Sequence, residues 1–356
     1  MRHKLSLDVN YVHDWTLQDA LRELFQNCID HGNWSWSMEN HTLRLTSHNA
    51  QLPSTTLLLG HSKKAEGSIG QFGEGYKLAA LVLTRLGYKL VIRTGKEVWT
   101  PKLINSRTYK TQQLVFDTEP EAEEVESISF EVSGLTEGDK HGLRNHNCWV
   151  DPRLTLADTE YGRILHKNEA GKVYVGGLFV CVVESMAYGY DLKPTAVKLD
   201  RDRRMVREFD LQWLTSAMWL KVEDKKLAAE LIKDNVKDVQ YLDSFYHEEA
   251  SLADEVTTQF VEEHGSDAVP VVDQRDMELA KYQGHTNTVV VSRPMASLIR
   301  SSSCYTPPPP PKPAETPEEQ LKLFFVKYSQ HMTYEMEKEF KKLIERSASW
   351  QSGSTR

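Results

Sequence analysis

The chain has 356 residues, 40% hydrophobic and 26% charged, a composition that excludes a disordered or fibrous protein and predicts two or three globular domains. The formal net charge of −8 excludes general coating of nucleic acid, so nucleic acid is expected as a partner only through a local basic patch. Four scattered cysteines without a CxxC pair argue against a zinc ribbon or a disulfide framework. Because no apolar run suits a signal peptide or a membrane span, we expect a cytoplasmic protein with no membrane contact.

The first 150 residues predict a sandwich of helices and strands. Apolar periodicity indicates helices over 15–30 and 76–86. The alternating runs that indicate strands are 41–47, 89–93, 113–116 and 128–132. Five glutamates between Glu119 and Glu126 predict an acidic loop between the last two of these runs. The order of elements favours an α+β fold.

Three further segments follow. Residues 151–300 predict a second α/β domain, with a β-rich run (KVYVGGLFVCVV), a basic stretch (VKLDRDRRMVR), helices, and a small α/β piece over 265–300. Residues 301–317 form a proline-rich linker that suits an extended spacer, or alternatively a ligand for an aromatic-lined groove. Residues 318–356 predict a helical carboxy-terminal segment, and the pattern over 316–347 indicates an amphipathic helix or a helix pair.

The first predicted helix carries a polar stripe. Thr16 and Asp19 form a capping pattern at its start. The apolar side chains that share one face are Leu17, Leu21, Leu24, Phe25 and Cys28. Glu23, Asn27 and Asp30 share another face, because they lie within about 60° of one another at 100° per residue. A carboxylate can act as a general base and an amide oxygen can bind magnesium, although a solvated helix face has the same pattern.

A glycine-rich segment, EGSIGQFGEGYK, comes directly before the second predicted helix. Its glycines are Gly67, Gly70, Gly73 and Gly75. Glycine permits close backbone approach, and the first amides of a helix favour an anion, so the segment suits phosphate oxygens, with Lys77 as a mobile cation. A flexible turn with a helix cap is the alternative. The spacing fits neither the GxxxxGK[ST] phosphate loop nor the dinucleotide form.

Together, ELFQNCID (Glu23–Asp30) and IGQFGEGYK (Ile69–Lys77) resemble the N box and the second glycine box of the GHKL ATPases. The pattern is most similar to the ninety-kilodalton heat-shock chaperones and the MORC proteins. This resemblance implies an amino-terminal Bergerat-type α/β sandwich over 1–150 that binds ATP with Mg²⁺. It also implies dimerisation and an unknown protein client. A downstream match implies a transducer-like middle domain, whereas the helical carboxy-terminal arm rests on the helical pattern over 316–347.

The resemblance also implies a role for each matching residue. Glu23 corresponds to the base that activates the attacking water, Asn27 to the magnesium ligand, and Asp30 to the buried acid near the nucleotide. The residues that correspond to the phosphate cradle are Gly70, Gln71, Phe72, Gly73, Gly75 and Lys77. The preceding HSKKAEGS resembles a lid over the nucleotide and supplies Ser62 and Lys64 as binding candidates.

One position departs from the family pattern. Where the family has an aspartate that accepts the adenine amino group, the segment SHNAQLP has Asn49, and neither glycine of the DxGxG stretch is present. An asparagine can accept through its oxygen or donate through its NH₂ group. The preference for adenine is therefore open.

A second match lies downstream. GKVYVGGLFV (Gly171–Val180), followed by AVKLDRDRRM, is similar to the chaperone middle segment, in which a strand pair precedes a loop with an arginine that reaches the γ-phosphate. Arg201 corresponds to that arginine, and Arg203 and Arg204 are neighbouring alternatives. A solvated charge cluster is the other interpretation of this stretch, because Asp200 and Asp202 interleave with the arginines.

These patterns predict Mg²⁺-dependent ATP hydrolysis coupled to conformational change or dimerisation. Intact Glu23, Asn27 and Arg201 favour an enzyme. Asn49 favours the alternative, a non-catalytic nucleotide-binding or protein-interaction module with a degenerate adenine pocket.

Overall fold

The computed structural model describes residues 1–57, 75–108, 110–197, 208–242, 250–306 and 316–347. The fold is α+β, as the sequence predicts. The chain divides into two compact units, one within 1–184 and 188–206, the other within 185–187 and 207–356. Within the described ranges, no helix is both long enough and apolar enough to cross a membrane.

The first unit begins with a five-stranded antiparallel sheet. Its strands are β1 (Arg2–Asp8), β2 (Trp34–Glu39), β3 (Thr42–His48), β4 (Lys89–Ser106) and β5 (Thr111–Ser133). The long strand β5 pairs with β4 along one edge. Its other edge pairs with β1 near Phe116 and with β3 near Phe130, and β2 pairs with β3. The sheet therefore has β5 as its central strand.

Helices α1 (Leu17–His31) and α2 (Gly75–Arg85) cover one face of this sheet, since they pack on each other and on β3 and β4, respectively. The capping box that Thr16 and Asp19 predict is present at the start of α1. All five side chains of its predicted apolar face are buried. Burial of this face against the sheet fixes the direction in which the polar stripe of α1 points.

The predicted acidic loop within 119–126 is wrong, because these residues belong to β5. Glu119, Pro120 and Val125 pair with β4, and the register shifts near Gly95, where the paired residues of β5 step from Val125 to Pro120. Arg93 of β4 pairs with Glu121 at 2.5 Å, and Lys96 lies near Glu124, with 3.2 Å between Nζ and Oε2. Cross-strand charge pairs of this kind support strand structure without an apolar pattern.

A second sheet completes the first unit. Its strands are β6 (Thr155–Thr159), β7 (Gly162–Leu165), β8 (Lys172–Val175), β9 (Leu178–Val182) and β10 (Gly189–Leu192), in the order β6-β7-β10-β8-β9. The predicted strand pair is the β8–β9 hairpin, whose turn needs positive φ at Gly176 (58°) and Gly177 (80°). Helix α3 (Glu137–His146) precedes this sheet.

The segment that follows α3 is hydrogen-bonded to the β8–β9 turn of the second sheet. Cys148 N donates to Gly177 O at 2.8 Å, and the Trp149 indole donates to Gly176 O at 2.8 Å. The compact unit consequently extends past residue 150, where the sequence-based division places the end of the nucleotide-binding domain.

Asp191 of β10 holds the β8–β9 turn. Its side chain is 8% exposed, accepts from Gly177 N at 2.7 Å, and pairs with Arg163. We expect Asp191→Ala to lower the free energy of unfolding by about 2–4 kcal/mol, because it leaves the amide and the guanidinium without this acceptor. Urea unfolding measures the change. Asp158→Ala, which removes an exposed carboxylate opposite Arg163, is the control, and equal losses in the two variants would contradict this role.

The second unit is mainly helical. Its helices are α4 (Glu208–Leu220), α5 (Lys225–Lys233), α6 (Ala250–His264), α7 (Gln274–Tyr282), α8 (Arg293–Ser301), α9 (Pro317–Tyr328) and α10 (Tyr334–Ser347). Two short parallel strands, β11 (Val269–Val271) and β12 (Thr288–Val290), are connected by α7. The small α/β piece predicted over 265–300 is thus confirmed.

The carboxy-terminal pattern is a helix pair, as the sequence allows. Thr316 caps α9 in a capping box with Glu319, and Pro317 is its first residue. The rings of Phe324 and Phe340 stack between α9 and α10, with 5.4 Å between their centroids.

Candidate functional site

The candidate site lies where α1 meets the first residue of α2. Glu23 of α1 is buried, with 3% of its surface exposed. A Cβ added to Gly75 would overlap Glu23 Oε2. The carboxylate therefore lies directly against the backbone at the start of α2, and only glycine leaves room for it. This burial excludes the solvated helix face as an explanation for Glu23.

Asn27 lies beside the same glycine. Its Nδ2 atom donates to Glu23 O at 2.7 Å and lies 3.6 Å from the place that a Gly75 Cβ would occupy. The amide oxygen of Asn27 takes no part in this bond, and an amide oxygen is a type of ligand that hard cations accept. Asp30 is half-buried, one residue before the end of α1.

One guanidinium and one helix terminus bring positive charge near the Glu23 carboxylate. Arg22 Nη2 lies 3.8 Å from Glu23 Oε1, and Arg22 Nη1 lies 3.7 Å from Asp19 Oδ1. The amino terminus of α2 adds the partial positive charge of its first amides. These charges offset part of the desolvation penalty of a buried carboxylate. The residues predicted from sequence do not include Arg22, although it directly precedes Glu23, the first residue of the N-box match.

The next two residues of α2 are also buried. Tyr76 donates its hydroxyl to Thr56 O at 3.0 Å, and burial raises the pKa of Tyr76 to about 12, with the Thr56 hydrogen bond opposing the shift. This bond ties the start of α2 to the 3-10 helix Ser54–Leu57. Lys77 is 1% exposed, with Nζ 5.7 Å from the Tyr76 ring centroid. The buried lysine differs from the mobile cation that the sequence suggests.

Asn49 is placed differently from the other candidates. It is exposed, immediately after β3, and has a left-handed backbone with φ of 54°, which asparagine adopts more readily than most residues. The following segment runs beside β4, where Leu52 N donates to Thr94 Oγ1 at 2.8 Å. The described contacts bring Glu23, Asn27 and Gly75 together and do not bring Asn49 to them.

Several predicted site residues lie outside the described residues. They are Ser62, Lys64, Gly70, Gln71, Phe72, Gly73 and Arg201. Their proposed roles in binding phosphate and in reaching the γ-phosphate remain predictions from sequence.

No protein-family model matches the chain. The chain is similar to an uncharacterised protein from Mycoplasma pneumoniae, with 24% identity over 215 residues. The match covers 55% of this chain and 85% of the Mycoplasma protein.

Proposed function

We propose that the chain is a Mg²⁺-dependent ATPase of the GHKL type that binds its nucleotide where α1 meets α2. The observation that carries this proposal is the buried Glu23 carboxylate against Gly75, at the start of the helix that follows the glycine-rich segment. An antiparallel sheet with α1 and α2 on one face supports a Bergerat-type sandwich.

The residues at this place fit a magnesium ion. Asn27 offers an amide oxygen of the type that hard cations prefer, and Glu23 adds negative charge nearby. Bound Mg²⁺ would neutralise phosphate charge. The first amides of α2 donate to phosphate oxygens, and the absence of a side chain at Gly75 permits their close approach.

Glu23 carries the proton chemistry in this proposal. One of its carboxylate oxygens accepts a proton from the water that attacks the γ-phosphorus. The new P–O bond forms as the bond to the β–γ bridging oxygen breaks, which gives ADP and inorganic phosphate. Phosphoryl transfer depends mainly on positioning and electrostatics, and a general base adds about 10²–10⁴-fold in rate.

In the proposed mechanism, ATP binding and hydrolysis are coupled to a conformational change. Arg201 contacts the γ-phosphate from a transducer-like segment, so that ATP binding closes a lid and promotes homodimerisation. An unknown protein client, in the cytoplasm, receives this conformational change. A guanidinium suits the role because it keeps its charge and stabilises negative charge that develops on the phosphoryl group.

Phosphate release by the purified full chain tests the proposal. We expect turnover with ATP and Mg²⁺ that chelation abolishes. Arg201→Ala should lower turnover at least about 10-fold without weakening ADP binding, because ADP lacks the γ-phosphate. Lys338→Ala, an exposed change on α10, is the control. Full activity in Arg201→Ala, Arg203→Ala and Arg204→Ala alike would contradict the role of this basic stretch.

The exposure of Asn49 favours a second candidate function. An exposed neutral side chain gives adenine no buried carboxylate to recognise, which fits a non-catalytic module that holds a partner protein. This candidate predicts no phosphate release, and no difference between the wild-type chain and a Glu23 variant in nucleotide binding measured by calorimetry.

A further inference from the structure

Two clefts in the second unit join into one groove. The larger has a volume of about 820 Å³ and lies at the carboxyl ends of β11 and β12. The smaller has a volume of about 330 Å³ and is lined by α7, α8 and α9. Val272 and Arg293 line both clefts. The two clefts together form the basic groove, whose basic side chains are Lys233, Lys237, Arg275, Arg293, Arg300 and Lys327.

The charge of the basic groove is opposite to that of the whole protein. The described residues of its lining include six Lys or Arg and two acidic residues, whereas the chain has 43 Lys or Arg and 51 acidic residues. Lys233 pairs with Glu263, and Arg300 pairs with Asp276. The four cations that form no salt bridge with a described residue are Lys237, Arg275, Arg293 and Lys327. Among the described residues, the groove therefore has more positive charge than its salt bridges neutralise.

One wall of the basic groove is apolar. Val289, Val290 and Met295 line it, and Val290 is 59% exposed. Ser292 accepts from Met295 N and so caps α8. Because this cap satisfies an amide at the start of α8, the positive charge of the groove comes mainly from side chains. The apolar wall lies beside these side chains.

We propose that the basic groove binds single-stranded nucleic acid. Phosphates contact the four cations without salt bridges, and unpaired bases pack on the valine-rich wall. Two joined clefts suit a chain of regularly spaced anions better than a single small anion. A duplex keeps its base faces stacked inside and would leave the apolar wall unused, which favours a single strand.

Fluorescence anisotropy tests the proposal. The probe is a labelled single-stranded oligonucleotide of about 20 nucleotides, mixed with the full chain in the absence of ATP. For single strands, log affinity falls with log salt by about 0.7 for each phosphate contact, so four contacts give about a 50-fold loss between 50 and 200 mM salt. Salt-independent binding, or no binding at 50 mM salt, would overturn the proposal.

Charge reversal at two helix starts locates the site. Arg275→Glu combined with Arg293→Glu should weaken binding at least 10-fold, and carboxylates in the first turns of α7 and α8 are compatible with folding. The control combines Lys226→Glu, in the first turn of α5, with Lys338→Glu; both lysines are exposed and lie outside the groove. An equal loss of affinity in the control would overturn the proposal, and so would tighter binding of a duplex. It would also be overturned if a polyglutamate peptide displaced the labelled strand and an unlabelled single strand did not.

Discussion

Replacing Glu23 by glutamine is expected to slow ATP hydrolysis by about 100-fold or more while leaving ATP affinity within a few-fold. Glutamine keeps the volume of a side chain that is 4% exposed, so the packing between α1 and α2 is preserved. It removes the proton acceptor, and loss of a general base has an effect of this size. Glu23→Ala should show a similar loss of rate, with an added packing defect.

Single-turnover phosphate release and equilibrium ATP binding measure the two effects separately. Glu39→Gln is the matched control, because it removes an exposed carboxylate at the end of β2 in the same unit. A turnover rate in Glu23→Gln equal to that of the control would exclude Glu23 as the base. Loss of ATP binding in Glu23→Gln would instead assign Glu23 a binding role.

Local signals were sufficient to predict α1. Its capping box involves Thr16 and Asp19, only three residues apart, and its apolar face follows from helical periodicity. The same periodicity placed Glu23 and Asn27 on one side of the helix. It could not predict that Glu23 is buried, because the burial depends on Gly75, which is distant in the chain and reaches α1 only through the tertiary fold.

Long-range pairing explains what the sequence did not predict. The acidic residues of β5 are extended because β4 supplies Arg93 and Lys96 opposite them, and neither strand carries that information alone. The basic groove was missed for a similar reason. Its cations come singly from segments between Lys233 and Lys327, so no local run of charge marks it.

Gly75→Ala is expected to lower both stability and turnover, although alanine is normally the better helix residue. Without a clash, the change at the start of α2 would stabilise the helix by up to about 1 kcal/mol. Here the new Cβ would overlap Glu23 Oε2, so the carboxylate or the helix must move. We expect a loss of about 1–3 kcal/mol in the free energy of unfolding, as for overpacking, and at least about a 10-fold loss of hydrolysis.

A double-mutant cycle with Glu23→Ala identifies the cause of this loss. In the Glu23→Ala background the obstructing carboxylate is absent, so Gly75→Ala should be neutral or stabilising, with a coupling energy of about 1–3 kcal/mol by urea unfolding. Gly138→Ala is the matched control, because Gly138 is in the first turn of α3 and an added Cβ would meet only Thr136 Oγ1, at an ordinary 3.6 Å. If Gly75→Ala stabilises the chain as much as Gly138→Ala does, the Glu23 carboxylate does not lie against the start of α2, and the proposed position of the general base is wrong.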